Sequence, residues 1–367
     1  MKYEEFKNYV EEHIKNYLPE TYQDAVVSVQ TVKKNNSQEL DGLNIQLAEE
    51  NTSPIIYLNH YYEDYQNGWV IGDILEEIAQ CRETYSVKEH FPIEDLFDFE
   101  KNRERIIFQT VGREANQELL SNAPHHVEQD MALIYKILLD KEKGGMASIT
   151  IDHALLERMG VDEETLYQTA MKNTVREFPM TFFAMDDVVR EMLEQDLFGF
   201  SLATLEDAEM KDFLQEILQE QTGFPKEQSP FYILTNEQKI DGAGVLFYPG
   251  VQELVAEKMN GDYFVLPSSV HEVLIVPDDG NMNFEELRTM VNEVNQAEVH
   301  PAEVLTGQVY SYDSARGCLM LAEERFAQKQ QERQGEKKGI LEKLNEKKNA
   351  IQKSDPGTQK LSPEPAL

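Results

Sequence analysis

Ser268, Ser269, His271 and Glu272 fall within Pro267-Ser268-Ser269-Val270-His271-Glu272, a short polar run between two apolar stretches. A serine hydroxyl and an imidazole can serve as nucleophile and base once their side chains come within hydrogen-bonding reach. Residues 269 and 271 can share a face. However, no third orienting group is identifiable, and neither serine lies in a Gly-x-Ser-x-Gly elbow. The spacing favours a tight turn, with the serines bonding backbone groups and His271 tying down the strand that follows. A metal would need several convergent ligands. His125 and His126 with Asp278 and Asp279 could supply them if the hairpins neighbour His271 and Glu272. Nothing matches His-Glu-x-x-His, and Asp278-Asp279-Gly280-Asn281 lacks the spacing of a calcium loop. Turns and a helix entry account for these residues, so no metal and no cofactor are expected.

Other constellations are weaker. Asp241-Gly242-Ala243-Gly244 is followed by no Lys-Ser/Thr pair, and its glycines suit a turn better than a phosphate cradle. Tyr57, Tyr61, Tyr62 and Tyr65 with Trp69 could stack a base or a sugar, but without a basic surround they read as packed core. Met180, Met185 and Met192 with Phe182 and Phe183 could line an adaptable partner groove.

These residues must be held by elements readable from periodicity. Tyr3, Phe6, Val10 and Ile14 recur at helical spacing over 2–18, and Pro19 stops the helix. Further helices are expected at 53–66 after Ser53-Pro54, at 71–82, 114–120, 154–159, 163–173 (after Asp162), 181–221 and 251–259, and from Asn283. Strands are expected at 25–32, 43–47, 105–111, 132–139, 147–151, 231–235, 243–248, 263–266 and 272–276. Residues 43–47 show a clean alternation of Leu43, Ile45 and Leu47 with Asn44 and Gln46. Residues 303–310 read as a helix end and 318–322 as part of a last hairpin. A pattern of strand, turn, strand and helix recurs at 25–66, 132–159 and 231–260. That is either a duplicated unit or a common way of building an α+β layer.

The chain has 367 residues, 68 Asp+Glu against 34 Lys+Arg, and a net charge of −34. Residues 327–367 hold nine basic and six acidic side chains, which leaves residues 1–326 at −37. Nucleic-acid affinity comes largely from Lys and Arg displacing counterions, so such a body disfavours direct DNA or RNA binding. The same field attracts basic proteins, although solubility alone can also explain it. No apolar run reaches the ~18 residues of a membrane span. The acidic N-terminal stretch is unlike a secretory signal, and Cys81 and Cys318 suit a reducing compartment. A cytoplasmic protein is expected.

Residues 243–250 (AGVLFYPG) and 262–278 (DYFVLPSSVHEVLIVPD), with 53–62 (SPIIYLNHYY) and 166–174 (LYQTAMKNT), resemble a domain-of-unknown-function family from anaerobic gut bacteria. The resemblance covers about residues 1–322 and implies carriage on mobile elements. It supplies no reaction and no catalytic residues. The resulting expectation is an α+β fold with a mixed or antiparallel sheet of hairpin–helix units. One body should span 1–322, with possible sublobes at 1–177 and 223–322 around a helical insertion at 178–222. A charged tail should follow at 323–367, helical and then disordered. The expected function is non-enzymatic: an accessory or regulatory protein binding a basic protein partner through its acidic surface. The alternatives are a hydrolase built on Ser268, Ser269, His271 and Glu272, or an acidic decoy that imitates DNA.

Overall fold

The computed structural model describes residues 1–50, 53–85, 92–142, 145–223, 231–280 and 282–353. Near the N terminus, α1 (Tyr3–His13) buries Phe6 and Val10 toward an antiparallel sheet of β1 (Val26–Lys33), β2 (Glu39–Gln46) and β3 (Ile55–Tyr57). Helices α2 (Asn59–Gln66) and α3 (Ile71–Thr84) complete this unit, whose core includes Leu43, Ile45, Ile56, Ile74 and Ile78. Leu43 and Ile45 are fully buried while Asn44 and Gln46 are half-buried, as the alternation requires. Ser53-Pro54 does not start the helix. Ser53 Oγ donates to the Ile45 carbonyl (2.8 Å), and Ile55–Tyr57 pair with Gly42–Asn44 before α2 begins.

The central part runs through α4 (Phe99–Asn102), β4 (Ile106–Gly112), α5 (Gln117–Asn122), β5 (His125–Glu128), β6 (Met131–Glu142) and β7 (Gly145–Thr150). β6 pairs with β4 along one edge, and successive stretches of its other edge pair with β5 and β7. Helices α6 (His153–Met159) and α7 (Glu163–Glu177) start where Asp152 and Asp162 accept the Leu155 and Thr165 backbone N–H groups. Leu166 and Ala170 of α7 share a core with Ile106 and Phe108 of β4 and with Leu133 and Tyr135 of β6.

The third sheet is antiparallel in the order β13-β12-β10-β11-β9-β8. Its strands and the helices among them are β8 (Met180–Ala184), α8 (Met185–Phe198), α9 (Ala208–Thr222), β9 (Tyr232–Asn236), α10 (Val251–Met259), β10 (Tyr263–Leu266), β11 (Val273–Pro277), α11 (Phe284–Ala297), β12 (Tyr310–Asp313), β13 (Cys318–Leu321) and α12 (Ala322–Lys353). One buried cluster draws on residues from Phe99 to Tyr312, so the central and third sheets share a core. Every strand pairing among the described residues is antiparallel, so the fold is α+β.

Several expected elements differ. Residues 243–248 are not a strand: Gly242–Phe247 wind into a 3-10 helix, so the third hairpin–helix unit does not form. A Cβ on Gly242 would run into Thr235 Oγ1 and the His271 carbonyl, and one on Gly244 would press on Phe108. These glycines let the coil lie flat on two sheets. The expected helix at 181–221 begins as a strand, because Met180–Ala184 pair with Tyr232–Asn236, which places Phe182 on β8. Residues 303–310 are not a helix end either. They lie against the 268–270 loop, where the Glu303 carbonyl accepts the Val270 N–H and the Leu305 N–H donates to the Ser268 carbonyl. Of the expected disordered segment, residues 354–367 lie outside the described residues.

Candidate functional site

The loop joining β10 to β11 carries the Ser-Ser-Val-His-Glu run. Ser269 Oγ accepts the His271 backbone N–H (3.0 Å), which ties the turn from within. The His271 carbonyl accepts the Thr235 hydroxyl of β9 at 2.7 Å. On the ring, Nδ1 accepts the Asp241 N–H (3.2 Å), so a neutral imidazole carries its proton on Nε2. Nε2 lies 3.6 Å from Glu303 Oε1. No hydrogen bond joins the Ser268 or Ser269 hydroxyl to the ring. The carboxylate facing it belongs to Glu303, not Glu272, which is half-buried nearby. Sequence spacing could not have found Glu303, because it arrives from a separate segment.

Asp241 organises the other side of the cluster. Its backbone is left-handed (φ 51°), and Oδ1 accepts the Gln109 amide of β4 at 2.7 Å. Lys136 of β6 points from the same sheet face as Gln109, since it pairs opposite Ile107. Enclosure pushes the Lys136 ammonium below the usual lysine range. Asp241 counters part of that shift and Lys34 adds to it. Lys34 belongs to the β1–β2 turn, which closes over this region. There Asn36, at φ 58°, donates its amide to the Pro301 and Val304 carbonyls, and its N–H bonds Asn116 Oδ1. The β1–β2 turn is thus tied both to Asn116 beyond β4 and to the segment carrying Glu303.

The metal candidates are dispersed among other partners. His125 Nδ1 bonds the Ala123 carbonyl (2.9 Å), and His126 stacks on Tyr167 with Nε2 3.2 Å from Glu128. Asp278 accepts Lys329 Nζ at 2.8 Å and the Gly280 N–H, and Asp279 follows it at the end of β11. Among the described residues, no group of three or more His, Cys, Asp or Glu side chains could hold a metal ion. Tyr61 is buried and Tyr62 and Tyr65 pack with Tyr3 and Phe6 in the N-terminal core, whereas Trp69, read with them as packed core, is 53% exposed.

A second, larger feature lies at the edge of the third sheet. β8 and β9 pair in register, so everything from α8 to the start of β9 is the connection of one β-hairpin. Within it, α8 and α9 form a helical hairpin. Glu194 closes the turn between them by accepting the Leu202 N–H (2.8 Å) and the Ser201 hydroxyl, and Asp207 caps α9 through the Met210 N–H. Leu202 and Leu218 are buried inside. Residues 185–222 hold eleven Asp+Glu against two Lys+Arg. Apolar side chains nevertheless face outward: Met192 is 64% and Phe213 56% exposed, and Val189 and Met210 are exposed at helical spacing beside them.

At the other end, α12 is clamped to the third sheet by charge. Arg325 meets Asp313 at 2.8 Å and Lys329 meets Asp278, while both aspartates are nearly enclosed. Among the described residues, no helix is long and apolar enough to cross a membrane, and Cys81 and Cys318 are free thiols.

Compared with known proteins, residues 3–314 match a family described as a family of unknown function (DUF5688), and the chain belongs to that family. No curated protein and no solved structure matches it.

Proposed function

We propose that this member of the DUF5688 family is a non-enzymatic accessory or regulatory protein of a mobile element, acting in the cytoplasm by binding a basic protein partner through its acidic surface. The observation that carries this reading is the α8–α9 hairpin, a segment with a surplus of nine negative charges that exposes Met192, Met210 and Phe213. The charge draws a basic partner in and orients it, and the apolar groups supply area to bury once it arrives. Nucleic acid is disfavoured as a direct ligand, because the body offers phosphates few cations and a strong opposing field.

The hydrolase alternative would use Ser268 or Ser269 with His271 and Glu272. What weighs against it is the engagement of both ring nitrogens with Asp241 and Glu303, and of Ser269 Oγ with a backbone N–H. The decoy alternative requires carboxylates in duplex-like rows, and its partner would be a protein that DNA displaces. Purification of the full chain from its host over a salt series tests the preferred reading. The expected outcome is a stoichiometric basic protein released as salt rises. Retention at high salt, or no partner at low salt, contradicts the electrostatic account.

A further inference from the structure

The chain carries a segment with the chemistry that the α8–α9 hairpin calls for. Residues 337–348 of α12 hold five Lys against two Glu. On the same stretch Ile340, Leu341 and Leu344 are 59%, 60% and 58% exposed. Ile340 lies eighteen residues past Ala322, roughly 27 Å along the helix axis. Its own body leaves this apolar group uncovered. We infer that the basic stretch of α12 in one molecule docks on the α8–α9 hairpin of a second copy of the chain. The inference rests on the reading of the hairpin as a protein-binding face and adds the basic stretch of a second copy as an occupant of that face.

Three observations support the pairing. The charges are opposite, and pairing hairpin with hairpin or tail with tail would set like charges together. Each surface is short of a cover for large apolar side chains, Met192 and Phe213 on one and Leu341 and Leu344 on the other. The lengths also agree: twelve residues of helix span roughly 18 Å and the fourteen of α8 roughly 21 Å. Such a contact joins two different patches, so it closes as a reciprocal dimer or propagates as a chain.

Light scattering of the full chain during gel filtration tests this with two variants. Met192→Asp with Phe213→Asp makes the hairpin more acidic, and Leu341→Lys with Leu344→Lys makes the tail more basic. Each therefore keeps or strengthens the charge attraction while removing the apolar seat. All four positions are exposed, and circular dichroism checks that the fold persists. The wild type is expected to self-associate at low salt and to dissociate as salt rises. Each variant alone should associate about tenfold more weakly or less. An equimolar mixture of the two should regain a one-to-one pair, because one intact hairpin then meets one intact tail.

A monomeric wild type overturns the inference. So does a hairpin variant that associates like the wild type, which would indicate a tail-to-tail coil. A mixture that fails to pair overturns it as well. Capture of a basic host protein through the hairpin by a monomeric wild type would overturn self-docking and leave the wider reading standing. Loss of both would overturn both.

Discussion

Arg82 shows what a charge does when the fold encloses it. It is fully buried on α3, donates Nε to the Ile45 carbonyl at 2.9 Å, and meets Glu50 Oε2 and the Tyr22 hydroxyl. Its role is to join α3 to the N-terminal sheet, and removing it strands Glu50. Arg82→Ala should cost about 3 kcal/mol in urea denaturation. Lys136 is the opposite case. Its folded-state pKa lies below the ordinary lysine value, so the unfolded chain binds more protons between the two. The contribution of Lys136 to stability should therefore rise with pH across that window and level off near the unfolded value of about 10. Lys136→Met should abolish this slope and raise stability at neutral pH by about 1 kcal/mol, since Asp241 keeps its bond to Gln109. A variant that keeps the slope would show that another group causes it.

Elements with one clear period were legible in the sequence, and those made by long-range contacts were not. α1, β2, β6, α7 and α10 stand where their apolar spacing and caps put them. Gly242–Phe247 misled because a short apolar run can line a buried coil as well as a strand. The close approach of Thr235 and His271 to Gly242, where a Cβ would not fit, is not visible in the sequence. β8 was hidden because Phe182 and Phe183 fit a helical stripe until β9 pairs with them. Of the His271 cluster, the sequence reveals the turn but not Glu303, Asp241 or Gln109, which come from three separate segments. The tail was legible as basic and helical. Its clamp was not, because it depends on Asp262, Asp278 and Asp313 ending adjacent strands. Burial raises the Asp262 pKa, but the Ser314 hydroxyl and N–H with the Lys329 and Arg325 charges pull it below the usual carboxylate value. A depressed acid stabilises the fold above its unfolded pKa and loses that contribution as pH falls through the folded one. The docked start of α12 should loosen below about pH 4, followed by amide exchange of residues 322–330. Asp262→Asn should flatten that acid step, and an unchanged step would assign it to other groups.

For the whole molecule, charge and shape converge on one side-chain population. The body carries most of the negative charge, and the hairpin at the sheet edge combines that charge with exposed apolar groups. Salt should act on association rather than on folding: raising it from low to physiological strength shortens the Debye length to about 8 Å and should slow partner capture several-fold. Stopped-flow association rates that ignore salt would remove the steering role. The most direct test of the central claim is a side-by-side purification from the host at low salt. It compares the wild-type chain with the variant carrying Met192→Asp and Phe213→Asp, with bound proteins quantified by mass spectrometry. The account predicts a basic partner bound in stoichiometric amount by the wild type and lost from the variant. Equal recovery of that partner by both proteins would contradict it.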